Sequence, residues 1–338
     1  MKRRIVKTIV TNSNSANSKI TVNSAKRIIP VNRKGIVYDR TQNKMPEHVP
    51  YEPIPVKTIS TPIEFKSKVG TPKIAFMFLT LESLHQGDIW HKFLSDGRDR
   101  CTVYSHPKYP EHIKQAFLKD NIIPRVIPTK WAGISLIRAT NNLLLEALKD
   151  KDNKFFMLLS EKCMPLYDFD YSYDTITKQN KSWIFHYKWK NVAHNTNRYR
   201  SLVKTGSHDQ DLLNIKIDQF YKQSQWMLLN RKHAEAVANN MHLTNGFYKV
   251  SAPDEHFYIN VLNNRVKTFR EENINAPITF VNWKDSTAGN HPLDYKAVHL
   301  NKIKSAKAAK YFKQDINTRH TEPHLFMRKV PYSAKIYE

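Results

Sequence analysis

The chain is 338 residues long with 40% hydrophobic and 11% aromatic residues, the composition of a soluble globular protein able to bury a substantial core. A formal charge of +24 favours an anionic partner, while the lack of an apolar run of about eighteen residues and the basic Met1–Val10 segment argue against an anchor or a secretion signal. Two cysteines, Cys101 and Cys163, exclude a disulfide framework, and neither has a second Cys or His at zinc-ligand spacing, so a reducing cytoplasm is expected, with peripheral membrane association left open.

Residues 1–70 hold 14 Lys/Arg against 4 Asp/Glu and include Thr11-Asn12-Ser13-Asn14-Ser15. This predicts a flexible basic extension over 1–72, either a solvated tail or a docking arm for nucleic acid, phosphorylated glycan or a membrane surface. The folded domain is expected over 73–338. Lys73-Ile74-Ala75-Phe76-Met77-Phe78-Leu79-Thr80 reads as a strand buried on both faces. A helix around 89–94, a strand at 101–105, a helix over 111–119 and a strand near 122–127 follow, a β-α-β-α-β alternation that predicts a parallel α/β sheet.

The stretch 134–148 is an amphipathic helix with Ile137, Leu144 and Leu148 on one face. Lys154–Leu159 is another buried strand, and it opens abruptly into the polar Ser160-Glu161-Lys162. Ligands of open α/β sheets bind at such carboxyl ends. Further strands are predicted at 183–187, 226–229 and 278–283, with helices at 232–239 and 254–263.

There is no Gly-x-Gly-x-x-Gly and no P-loop, and eight glycines in all argue against a dinucleotide or triphosphate cradle. Two Asp-x-Asp triplets, Asp168-Phe169-Asp170 and Asp209-Gln210-Asp211, have the oxygen ligands for Mg²⁺ or Mn²⁺, yet neither sits at a strand end, and no metal site is expected. His233 and His256 fall on predicted helices without a metal or triad partner, and a structural or solvent-facing role is expected for both. Ser251-Ala252-Pro253-Asp254 runs into Glu255 and an apolar stretch. Pro253 breaks the backbone, Asp254 can cap a helix, and Glu255 falls in its first turn, where a carboxylate at a cleft edge can act as a base.

Seven blocks then carry a resemblance: Lys73–Thr80, Lys130-Trp131-Ala132-Gly133-Ile134-Ser135, Phe156–Leu166, Ser224–Lys232, Asp254-Glu255-His256-Phe257-Tyr258, Phe280-Val281-Asn282-Trp283 and Leu325-Phe326-Met327-Arg328-Lys329. In their order and rough spacing the chain resembles the core-2/I-branching β-1,6-N-acetylglucosaminyltransferase family, especially its plant-like branch. The resemblance implies a GT-A-like α/β fold, with a mixed, mostly parallel sheet and flanking helices. It implies inverting transfer from a UDP-sugar to a glycan hydroxyl, with N-acetylglucosamine the default donor and xylose open, and no cofactor or divalent metal.

By the same resemblance Glu255 matches the catalytic base and Lys329 a diphosphate contact, with Lys302, Lys304 or Arg328 as its basic companion. Trp131 and Ser135 match a nucleotide-side block, although Trp131 fits a core position equally well. Glu161 is placed to bind donor or acceptor hydroxyls. Trp283 matches an aromatic flanking the acceptor sugar, and Arg198 and Arg200 fall in a polar loop resembling an acceptor-side segment. Animal members carry a Golgi anchor and many disulfides, and an acidic residue where Ser105-His106-Pro107 stands here. Lys/Asn/Ile-rich usage without an anchor suits a large DNA virus, with host cytoplasm or virion as the compartment. The rival reading is a non-catalytic basic protein that binds glycan or nucleic acid on the same fold.

Overall fold

The computed structural model describes residues 56–66, 70–188, 192–205, 214–282, 292, 294–304 and 322–338. All belong to one compact unit, Pro53–Glu338. In chain order they form β1 (Lys73–Thr80), α1 (Gly87–Asp96), β2 (Cys101–Pro107), α2 (Ala116–Lys119), α3 (Ile134–Leu148), β3 (Asn153–Leu159), β4 (Met164–Pro165) and α4 (Phe169–Gln179). Then come β5 (Ser182–Trp183), β6 (His186–Tyr187), α5 (Val192–Thr205), β7 (Lys222–Gln223), β8 (Leu228–Asn230), α6 (Arg231–Asn239) and α7 (Phe257–Arg265). The remainder is β9 (Asn273–Ile274), β10 (Thr279–Val281), β11 (Ala297–His299), α8 (Leu300–Lys304), β12 (Phe326–Arg328) and β13 (Lys335–Tyr337). No helix among the described residues is long and apolar enough to cross a membrane.

Among these residues a six-stranded sheet runs β2-β1-β3-β8-β5-β9. β1 pairs parallel with β2 (Phe76 opposite Val103) and with β3 (Phe76 opposite Met157), β8 is antiparallel to both β3 and β5, and β5 is parallel to β9. The fold is therefore α/β with a mixed, mostly parallel sheet and flanking helices. All eight residues of β1 are buried, as its unbroken apolar run predicts for a strand covered on both faces. The chain leaves β1 for β2 on one side and crosses to β3 on the other, with α3 between and packed along all three strands. The crossing puts a topological switch point between the carboxyl ends of β1 and β3.

Four local expectations change. Residues 122–127 form no strand: after one Ser105–Ile122 bridge, Pro124 has no N–H for a ladder and the segment peels away. The helix expected over 111–119 is a 3₁₀ turn at Pro110–His112 and the short α2, because the backbone between them is drawn extended. Ile59 N–H bonds the Lys114 carbonyl at 3.0 Å, and Ala116 N–H bonds the Ile59 carbonyl at 2.8 Å. The strand at 183–187 divides into β5 and β6. The helix at 254–263 divides into a 3₁₀ turn, Pro253–Glu255, and α7.

A second sheet, β10-β12-β4, is joined to the first by aromatic packing. Trp90 of α1 is fully buried, edge-on to Phe76 and Phe78 of β1 and stacked on Phe326 of β12 at 6.0 Å. Its indole N–H donates to the Cys163 carbonyl at 2.8 Å. Trp90→Ala removes this joint and leaves a cavity, so urea denaturation should show a loss of about 3–5 kcal/mol. A loss under about 1 kcal/mol would mean that the two sheets are held by other contacts.

Candidate active site

Glu255 ends the 3₁₀ turn that begins after Ala252, a residue in left-handed conformation (φ 50°) followed by Pro253. The turn is anchored from behind by α7, whose Phe257, Tyr258, Ile259, Val261 and Leu262 are all buried. It is also tied to β7. The Asn260 side chain accepts from Tyr221 N–H at 2.9 Å and donates to the Tyr221 carbonyl at 2.9 Å, and Ile259 N–H bonds the Gln223 side chain at 2.6 Å. These bonds bring Lys222 to Glu255, with Nζ 3.0 Å from Oε2. Arg198, from α5, places Nη1 3.6 Å from the same oxygen.

Glu255 is partly exposed, whereas Asp254 beside it is buried and its Oδ1 has no hydrogen-bond partner among the described residues. Asp254 is therefore not the helix cap that its position suggests. Burial, and after it the charge of Glu255, pushes its carboxyl up to about 7. Burial likewise lowers the Arg198 guanidinium from its usual range, against the opposing pull of Glu255.

At the switch point, Leu81 N–H beyond β1 reaches Glu161 Oε2 beyond β3 at 3.4 Å. Two basic residues at the end of β12 share this crevice, because Val330 N–H bonds the Lys162 carbonyl at 2.9 Å. Arg328 lies over the Trp226 ring at 4.1 Å, and its Nε has no hydrogen-bond partner among the described residues. Burial lowers the pKa of Arg328. Lys329 is lowered first by burial and then by Arg328. His85, held down to about 4 by burial and then by Lys162, adds no charge here at neutral pH. Desolvated, incompletely paired cations favour an arriving anion, and Glu161 and Asp294 offset them only in part. The segment 222–226 links the two places, since Lys222 touches Glu255 and Trp226 carries Arg328.

The family model for the core-2/I-branching enzyme matches residues 74–308, which include the Glu255 turn and the switch point. The chain belongs to the core-2/I-branching enzyme family. The glycosyltransferase BC10 of Oryza sativa subsp. japonica is 27% identical to it over 186 residues, 53% of this chain and 44% of that protein, so the chain matches less than half the length of this relative.

In this core-2/I-branching family member the structure gathers Glu255 with Arg198, and Glu161 with Arg328 and Lys329, but it places other expected residues differently. Arg198 and Arg200 lie on helix α5, not in a loop. Trp131 is 69% exposed and so is not core. Ser135 accepts from Lys130 N–H at 2.8 Å, closing the turn before α3, and opens onto a groove of about 620 Å³ with Arg125, Arg138 and Asn142. Lys304 stands over the Tyr167 ring at 4.9 Å, with Lys302 on the same short helix, α8.

Trp283 and Asp209-Gln210-Asp211 lie outside the described residues. Asp168 caps α4 through Tyr171 N–H at 2.8 Å, and Asp170 pairs with Arg100 at 2.7 Å. Among the described residues no cluster of three His, Cys, Asp or Glu could hold a metal. His233 and His256 are both fully buried, which removes the solvent-facing alternative. Sequence reasoning missed Lys222, Trp226 and the burial of Asp254. Trp226 lies within the Ser224–Lys232 block and Lys222 two residues before it, a proximity to one resembling segment that could have singled them out.

Asp254 makes a pH test. Its folded value of about 7 lies above the unfolded aspartate value of about 3.9, so the folded chain holds the proton more tightly between them. Stability is then lost as pH rises from about 4 to 7. Asp254→Asn cannot ionise, and in urea denaturation its stability relative to the parent should climb across that interval, on the order of 2–4 kcal/mol. A constant difference from pH 4 to 8 would contradict the buried-acid assignment.

Proposed function

We propose that this protein is an inverting, metal-independent glycosyltransferase of GT-A-like fold, which moves a sugar from a UDP-sugar to a glycan hydroxyl. N-acetylglucosamine is the donor by resemblance. The observation that carries the reading is Glu255: a partly exposed carboxylate on a rigid turn, with Lys222 Nζ 3.0 Å and Arg198 Nη1 3.6 Å from its Oε2. Oε1 makes no hydrogen bond among the described residues and is available to a substrate.

Inversion is a single in-line displacement. The acceptor oxygen forms a bond to the anomeric carbon as the bond from that carbon to the diphosphate breaks. The electron pair leaves with UDP, and the hydroxyl proton passes to Glu255. Charge developing on the diphosphate needs positive partners already in place, the role assigned to Arg328 and Lys329 at the switch point. Glu161 beside them is assigned to sugar hydroxyls, Trp131 and Ser135 to the nucleotide side, and Trp283 with Arg198 to the acceptor side. The Asp168 and Asp170 carboxylates already serve as a helix cap and an ion pair, which supports diphosphate neutralisation by side-chain cations.

Glu255→Gln should lower turnover by about a hundredfold or more while UDP still binds, as read by release of UDP from a panel of UDP-sugars. Unchanged turnover would remove Glu255 from the mechanism. Calorimetric titration with UDP in EDTA should show binding that Lys329→Met weakens by about tenfold. Binding that appears only when Mn²⁺ is restored would overturn the metal-independent reading. Salt-sensitive binding of nucleic acid without UDP binding would favour the non-catalytic rival.

A further inference from the structure

Asp254, Glu255 and His256 are consecutive in sequence yet stand in three environments, and the third holds chemistry that the displacement leaves unused. His256 is completely buried, its ring lying flat on Phe220 with centroids 4.7 Å apart and planes within 5°. Nδ1 is 2.8 Å from the Tyr221 carbonyl, and Nε2 is 2.9 Å from Arg198 Nη1. A carbonyl only accepts and a guanidinium only donates. The ring must therefore be neutral, with its proton on Nδ1 and its lone pair at Nε2. Burial, and after it the charge of Arg198, hold its pKa down to about 3, so this state persists across the ordinary pH range.

Arg198 Nη1 is shared unequally. It is 2.9 Å from the imidazole but 3.6 Å from Glu255 Oε2, longer than a charge-assisted hydrogen bond. A guanidinium answering only to a nearby carboxylate would close on it as a two-pronged fork and occupy both oxygens. We propose that His256 is a positioning residue whose Nε2 lone pair holds Arg198 back from Glu255, so that Glu255 keeps Oε1 for the proton of the acceptor hydroxyl. This rests on Glu255 being the base. The other charged and titratable groups around the pair are Lys222 on β7, Tyr187 on β6 and Asp254 on the same turn. None replaces the imidazole: Lys222 can only donate, while an ionised Asp254 or Tyr187 would draw Arg198 by charge rather than hold it at one fixed nitrogen.

The test uses H256F, H256Q and R198M in the full chain. H256F keeps a flat ring for Phe220 but has no lone pair, and the Tyr221 carbonyl retains its bond from Asn260. Its kcat should fall about tenfold or more with the dissociation constant for UDP unchanged. H256Q, whose amide oxygen can accept from Arg198, should recover most of the loss, and H256F/R198M should be no slower than the slower single variant. Undiminished kcat in H256F, an equal loss in H256Q, or losses that multiply would overturn the proposal.

Should H256F fail to fold, H256Q and R198M carry the comparison alone. Nitrogen-15 NMR of the His256 ring in the free protein reads the tautomer without turnover. A proton on Nε2 would overturn the proposal whatever the activity. A proton on Nδ1 in a protein that transfers from no UDP-sugar would sink the catalytic reading, and the positioning role with it.

Discussion

The site depends first on an apolar joint. Phe76, Trp90, Phe93, Phe169 and Phe326 meet edge to face or stacked, and they bind β1 of the large sheet to β12 of the small one. Aromatic packing of this kind is stiff, because each ring fills a fixed space and a displaced ring forfeits many contacts at once. β12 ends in Arg328 and Lys329. The joint therefore fixes where two desolvated cations stand relative to the carboxyl ends of β1 and β3, and the Trp90 bond to the Cys163 carbonyl fixes the loop carrying Glu161 and Lys162 as well.

Two kinds of electrostatic arrangement follow, one for each end of the segment 222–226. At the switch point positive charge is in excess and incompletely bonded, as Arg328 Nε, without a hydrogen-bond partner among the described residues, indicates. Leaving such a donor unpaired is unfavourable unless something fills the place, and a diphosphate is rich in acceptors. Near Glu255 one partly exposed carboxylate is paired directly with two cations, Arg198 and Lys222. The first end suits an arriving anion, and the second presents a carboxylate, the arrangement from which the proposed roles of the two places are drawn.

Much of this fold could be read in advance where the pattern was long. The continuous apolar run of β1 and the 3.6-residue period of α3 met the structure almost residue for residue. Short elements were lost for tertiary reasons: residues 122–127 carry strand-forming side chains, but Pro124 interrupts the ladder, and the helix expected over 111–119 yielded to pairing with Ile59. At the candidate site, Glu255 and Lys329 were legible through resemblance, being embedded in distinctive blocks. Lys222 was not. It is a lysine among many, and what singles it out is the set of hydrogen bonds from Asn260 and Gln223 that bring β7 against α7, a long-range arrangement with no periodic signature.

The turn itself explains why three neighbours can differ so much. Successive residues of a 3₁₀ turn point about 120° apart. Placed where the chain meets the buried start of α7, such a turn sends Asp254 and His256 into the interior and leaves only Glu255 at the surface. The interior tolerates the two buried groups in opposite ways. The imidazole is satisfied at both nitrogens and stays neutral, while the carboxyl has an oxygen without a partner among the described residues and a raised affinity for its proton. A smooth α-helical start would have placed Glu255 on a helical face with its neighbours in register. The interruption at His256 separates the Glu255 carboxylate from the helix that supports it. Rigidity then comes from α7 and exposure from the turn, the combination that the proposed role of Glu255 as base requires.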